Sequence, residues 1–116
     1  MARSLEDMVA KWEQIAKSAT TYNLTLDDWL NDLDLRDMID RQSSDPASAI
    51  LRSRLDSADR AFRDGTLESK RSMWGPTAGA DHHSARHWWY FRYPSSPGTS
   101  MQRDLVAAGI LPRKNH

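Results

Sequence analysis

Three of the four histidines lie between His82 and His87, directly after Asp81. Imidazole and carboxylate groups bind zinc and related ions, and His83 and His87 would share one face if this stretch were helical. The helical zinc motif of metalloproteases, however, has a glutamate directly after its first histidine, and here Ser84 takes that place. We therefore expect no metal site. If one exists, its ligands are His82, His83 and His87.

No other stretch has the spacing of a catalytic or nucleotide-binding motif. The sequence contains no glycine-rich phosphate loop and no nucleophile elbow, and it has no cysteine to supply a thiol nucleophile or a thiolate metal ligand. We predict that the protein is not an enzyme and needs no cofactor. The lack of cysteine, and of an apolar signal peptide at the N-terminus, favours a cytoplasmic location without a membrane partner.

Residues 82–93, HHSARHWWYFRY, hold five of the ten aromatic side chains of the chain. Arginines beside stackable rings are typical of platforms for single-stranded nucleic acid, because every base has a π-face and every phosphate a charge. The candidate residues are Arg86, Trp88, Trp89, Tyr90, Arg92 and Tyr93. On an extended chain, Trp89, Phe91 and Tyr93 would face one side and Trp88 and Tyr90 the other. The net charge of zero argues against this hypothesis, since affinity for phosphates relies on a positive field.

Charge is distributed unevenly along the chain. Residues 1–40 contain nine acidic and four basic side chains, and residues 41–116 contain seven and twelve. The negative excess is concentrated in six aspartates of residues 27–40, which only Arg36 opposes. These acids are solvated, or pair with Arg41, Arg52, Arg54, Arg60 and Arg63 of the next segment, or are displayed to a basic partner. The candidate partner-binding residues are Asp27, Asp28, Asp32, Asp34 and Asp37.

Two helices are predicted before residue 43. Apolar residues from Leu5 to Ala19 recur every three or four positions behind Ser4, a good N-cap. Thr25 can cap a second helix with Asp28 at its third position. The apolar residues of this second helix lie on two nearly opposite sides, so it either breaks near residues 31–34 or is sandwiched between two layers. We expect the break.

A third helix should start at Asp45 and Pro46 and end before Gly65, with an inward face made of Ile50, Leu51, Leu55, Ala58 and Phe62. Residues 66–84 have no periodicity and are predicted to be a long loop, and HWWYFRY to be a lone extended segment with no partner strand. Thr99 or Ser100 should cap a short last helix.

These elements predict a mainly α protein: a small three- to four-helix bundle with a long, irregular, aromatic-rich segment, residues 66–98, packed across it. Residues 1–112 form the single domain, and residues 113–116 a frayed tail. The predicted function is to bind another protein, as an inhibitor, immunity protein or regulator does, by presenting the Asp-rich helix to a basic partner such as a nucleic-acid enzyme. The alternatives are nucleic-acid binding through residues 86–93 and metal binding through the histidines.

Overall fold

The computed structural model describes residues 4–42, 49–74 and 85–112, and of residues 85 and 86 the backbone alone. Within these ranges the elements are four α-helices, one 3-10 helical segment that is kinked at His87, and two short strands. In chain order they are α1 (Leu5–Ser18), α2 (Leu26–Gln42), α3 (Ala49–Asp64), β1 (Thr66–Glu68), the 3-10 helix (Ala85–Phe91), β2 (Arg92–Pro94) and α4 (Thr99–Ala107). The helices pack against one another, which confirms the predicted small helical bundle. Residues 1–3 of the predicted domain and the tail at 113–116 lie outside the described residues.

Helix α1 forms as its periodicity predicts. The Ser4 side chain accepts a hydrogen bond from the Asp7 backbone N–H at 3.1 Å and so satisfies one of the donors at the helix start. Its apolar stripe faces the core, where Met8 and Trp12 are completely buried. Helix α1 is therefore amphipathic, with one face between α2 and α3.

Helix α2 is continuous, so the predicted break near residues 31–34 is wrong. Thr25 caps the helix as predicted, and Asp28 completes a capping box: Thr25 Oγ1 accepts from the Asp28 N–H at 3.2 Å and Asp28 Oδ2 accepts from the Thr25 N–H at 3.1 Å. The helix then buries two sides, one against α1 and the other against the 3-10 helix. Because both sides are covered, Leu33 and Ile39 can be buried on one straight helix.

Helix α3 ends at Asp64, directly before Gly65 as predicted. Ala58 and Phe62 are buried and Leu51 and Leu55 half-buried, but Ile50 is 72% exposed, so its assignment to the inward face is wrong. Ile50 lies in the first turn, beyond the part of α3 that packs on the core. The predicted start at Asp45 and Pro46 lies outside the described residues.

The chain after Gly65 is more regular than predicted. β1 pairs with β2 in an antiparallel ladder, with Leu67 opposite Tyr93, so the extended segment does have a partner strand. Most of HWWYFRY is not extended either, because it belongs to the 3-10 helix and only Arg92–Pro94 forms a strand. Two backbone hydrogen bonds, from Ser69 N to Phe91 O and from Met73 N to Tyr90 O, hold the chain after β1 to this helix.

The core is a cluster of aromatic rings where the helices meet β2. Trp29 stacks on Phe62 with ring centroids 5.4 Å apart, and Trp12 lies 4.7 Å from the same ring. The Trp29 indole also donates to the Arg92 backbone carbonyl at 3.1 Å, which fixes β2 to α2. Helix α4 begins after Gly98 rather than at a Thr99 or Ser100 cap, and its Asp104 accepts from the N–H of Leu26. No helix in the described part of the chain is long and apolar enough to cross a membrane.

Candidate functional site

A groove of about 560 Å³ opens where the end of α3, β1 and the 3-10 helix meet. It is lined by Arg63, Glu68, Ser69, Lys70, Trp88, Phe91 and Arg92. The lining combines three cationic side chains, one carboxylate and two aromatic rings. Its local charge is therefore positive although the chain as a whole is neutral.

The two rings of the groove share one side because of the 3-10 geometry. A 3-10 helix has three residues per turn, so Trp88 and Phe91 lie above one another. Both are half-buried, whereas Trp89 and Tyr90 are each only 1% exposed. The platforms expected for an extended chain are thus wrong, since Trp88 lines the groove with Phe91 while Trp89 and Tyr90 belong to the core.

Arg63 is stacked on Trp88. Its guanidinium carbon lies 4.0 Å from the centroid of the indole ring. Stacking fixes the plane of the guanidinium and leaves its N–H edges free to bind an anion. Arg63 is exposed, and no carboxylate among the described residues forms an ion pair with it or with Lys70. These two cations are therefore available for a ligand.

Arg92 forms the floor of the groove. Its Nε donates to Thr66 Oγ1 at 2.7 Å, and its Nη2 donates to the backbone carbonyls of Arg63 and Thr66. Partial burial lowers the pKa of its guanidinium, and the nearby Glu68 carboxylate opposes that effect. Because its Nε and Nη2 are committed to these contacts, Arg92 positions β1 and the end of α3 and adds positive charge to the groove.

The remaining residues of the predicted nucleic-acid site lie elsewhere. The side chain of Arg86 is outside the described residues. Tyr93 lines a second, smaller depression on the other side of residues 68–70. The sequence-based prediction missed Arg63 and Lys70, which come from other elements. The sequence indicates Arg63 only as one of several arginines that could pair with the acidic residues, and no local pattern shows that it meets Trp88.

Most of the predicted acidic site is used inside the fold. Asp32 accepts from the Tyr22 hydroxyl and Asp34 from the Tyr90 hydroxyl, each at 2.7 Å. Asp37 is almost buried and pairs with Arg41 at 2.9 Å. Of the five candidate aspartates, only Asp27 is exposed and shows no internal contact in the described structure.

Hydrogen bonding and burial have opposite effects on the pKa values of these carboxyls, as Asp28 and Asp32 show. The hydroxyl and backbone N–H of Thr25 hold the pKa of Asp28 below its usual range. Burial raises the pKa of Asp32, and the hydrogen bond from Tyr22 offsets part of that increase. The internal pairing expected with the next segment is only partly present, since Arg54 pairs with Glu13 of α1 instead. Asp28 and Asp32 thus have structural roles in addition to any role at the surface.

Of the three predicted metal ligands, the structure describes only His87. His82 and His83 lie outside the described residues. The side chain of His87 is 14% exposed and its Nε2 lies 3.4 Å from Asp37 Oδ1. Among residues 4–42, 49–74 and 85–112, no group of three His, Cys, Asp or Glu side chains is arranged to hold a metal ion.

Comparison of the chain with protein families, curated proteins and solved structures finds no match to any of them. Any functional inference therefore depends on the geometry of this protein alone. The groove is the best basis for it, because it brings aromatic rings together with cations that have no ion-pair partner among the described residues.

Proposed function

We propose that the protein is a non-catalytic module that binds single-stranded nucleic acid in the groove formed by α3, β1 and the 3-10 helix. The observation that carries the proposal is the stack of Arg63 on Trp88 beside Phe91 and Lys70. Aromatic and guanidinium planes stack on bases of any sequence, and the free N–H groups of Arg63 and Lys70 suit phosphate oxygens. A duplex hides the faces of its bases, so the single strand is the form that this groove accommodates.

The neutral net charge is compatible with this proposal, because the acids and the groove occupy different places. Asp32 and Asp34 are bonded to buried tyrosines, and Asp37 and Asp59 to arginines. The field that a phosphate meets at the groove comes mainly from Arg63, Lys70 and Arg92, and among the described lining residues Glu68 opposes it. A small number of phosphate contacts follows, and modest affinity at physiological salt is expected.

The test is a titration of labelled oligothymidylate of about twelve nucleotides, within the roughly 4 to 16 that small single-strand-binding folds occupy. Arg63→Gln should weaken binding about tenfold, or about 1.4 kcal/mol. It should also reduce the slope of log K against log salt by about 0.7, the effect of one phosphate contact on a single strand. Arg52→Gln is the matched control, because Arg52 is exposed on the same helix about three turns away.

Two results would contradict the proposal. One is the absence of binding by the parent protein at low salt. The other is an equal loss of affinity in the Arg63→Gln and Arg52→Gln variants, which would show that only the overall positive charge attracts the strand. Binding of duplex as tight as that of the single strand would also argue against stacking in the groove.

A second candidate function is the binding of a basic protein by the acidic helix. The observation that favours it is the exposure of Asp27 in the first turn of α2, where the helix dipole stabilises a carboxylate. Fewer aspartates are free for such a partner than the sequence predicts, because Asp32, Asp34 and Asp37 have internal contacts. We place this candidate second for that reason.

A further inference from the structure

A second depression lies directly beside the groove. Its volume is about 270 Å³, and it is lined by Glu68, Ser69, Lys70, Arg71, Tyr93, Gly109 and Ile110. Residues 68–70 line both depressions. We call this shared boundary the ridge. Each depression thus has its own aromatic side chains and its own arginine, Trp88 with Arg63 on one side and Tyr93 with Arg71 on the other.

The charges of the second depression resemble those of the groove. Arg71 is exposed, and its Nη1 would lie 3.4 Å from a Cβ at Gly109, so the guanidinium stands against the chain that follows α4. Neither Arg71 nor Lys70 forms an ion pair with a carboxylate of the described residues. Tyr93 is half-buried and presents part of its ring to this side. The second depression thus offers one aromatic ring beside two cations, Lys70 and Arg71.

We infer that the two depressions bind consecutive nucleotides of one strand, so that the smallest ligand with full affinity is a dinucleotide. One base lies against Trp88 and Phe91, the next against Tyr93, and the phosphate that joins them lies over the ridge at Lys70. The terminal phosphates are then within the reach of Arg63 and Arg71. This inference rests on the proposed binding of single-stranded nucleic acid and adds the number of nucleotides and the path of the strand.

Because the ridge separates the two depressions, one nucleotide is not enough for full affinity. A mononucleotide can occupy only one depression at a time and meets one arginine. A dinucleotide occupies both without a second loss of translational freedom, because its two halves are covalently joined. Stacking of one additional base corresponds to about a tenfold or greater gain in affinity.

The experiment is a competition against labelled oligothymidylate, with thymidine 5′-monophosphate and dithymidylate phosphorylated at both its 5′ and 3′ ends as competitors. The dinucleotide should compete at least about tenfold better. Tyr93→Leu removes the stackable ring but keeps an apolar side chain, and it should abolish most of this advantage while leaving competition by the mononucleotide unchanged. Arg71→Gln should have the same effect, and it changes an exposed side chain rather than a half-buried one. Arg103→Gln, at an exposed position on α4, is its control.

Failure of this inference differs from failure of the proposed function. If labelled oligothymidylate does not bind the parent protein, both the proposed function and the two-nucleotide site are wrong. If it binds and Arg63→Gln weakens it, but mononucleotide and dinucleotide compete equally, the proposed function stands and the two-nucleotide site is wrong. Thermal melting of each variant confirms that it is folded, and an Arg71→Gln variant that competes like the parent would also overturn the inference.

Discussion

Arg36 of α2 and Asp59 of α3 form a bidentate ion pair in which the arginine Nε and Nη2 donate to the two carboxylate oxygens, both at 2.9 Å. The Trp12 indole of α1 donates to the same carboxylate, also at 2.9 Å. Both members of the pair are largely buried, with side chains 8% and 14% exposed. One carboxylate therefore joins the three long helices. The Arg36 guanidinium also lies over the ring of Trp89, with its central carbon 4.6 Å from the ring centroid.

Breaking this pair should destabilise the protein strongly. Arg36→Met leaves the Asp59 carboxylate buried with only Trp12 as a partner, and loss of one member of a buried pair typically costs about 3 to 5 kcal/mol of unfolding free energy. Urea denaturation should show this loss. In the double variant Arg36→Met, Asp59→Leu the loss should be smaller than in the single variant, because no unpaired charge remains. Arg54→Gln, which breaks a partly exposed pair with Glu13, is the control and should change the midpoint much less.

The two adjacent tryptophans should respond differently to truncation. Trp89 is 1% exposed between α2 and the rest of the 3-10 helix, so Trp89→Ala should cost about 3 to 5 kcal/mol. Trp88 is half-buried, and Trp88→Ala should cost less stability but weaken binding of oligothymidylate. Chemical denaturation and the binding titration separate the two effects. A Trp88→Ala variant with parental affinity would remove this ring from the site.

The tyrosine–aspartate pairs should make the fold sensitive to alkali. Burial, and then the hydrogen bond to a carboxylate, raises the pKa of Tyr22 and of Tyr90 above its ordinary value. The folded protein thus holds these two protons more tightly than the unfolded chain does. Their contribution to stability is fully present below about pH 10, where the phenols of the unfolded chain ionise, and is lost as the pH rises further.

Ultraviolet absorbance checks this expectation, because tyrosinate absorbs at longer wavelength than tyrosine. The absorbance of these two phenols should rise together with unfolding, in one cooperative step. Tyr90→Phe should make the unfolding free energy less dependent on pH above about pH 10, at a cost near 1 kcal/mol at neutral pH. A gradual rise of the whole tyrosinate signal in the folded protein would show that both hydroxyls ionise freely.

Asp27 gives a clean test of the acidic-helix candidate. Asp28→Asn would disturb the capping box and Asp32→Asn a hydrogen bond to Tyr22, so neither separates binding from folding. Asp27→Asn should lower the stability only slightly, by the roughly 0.3 to 1 kcal/mol of the lost dipole interaction, but slow association with a basic protein partner, with a smaller difference at high salt. Asp56→Asn, on the exposed side of α3, is the control. Equal association rates for Asp27→Asn and the parent in low salt would exclude this carboxylate from an interface.

Sequence alone determined the elements whose causes are local. The Ser4 cap and the spacing of Met8 and Trp12 lie within α1 itself, and the capping box of Thr25 and Asp28 lies within one turn of α2. Gly65 marks the end of α3. Signals of this kind act between residues at most a few positions apart, so they can be recognised without knowledge of the packing.

Tertiary structure decided whether α2 breaks, what HWWYFRY forms and where the groove lies. The causes are contacts between residues distant in sequence: Tyr90 bonds Asp34 across 56 positions, and Trp29 bonds the carbonyl of Arg92 across 63. Burial between two layers stabilises α2 through a stretch whose pattern favours an interruption. In the same way, the groove exists only because Arg63 from α3 lies on Trp88 from the 3-10 helix, and the sequence records no relation between these two residues.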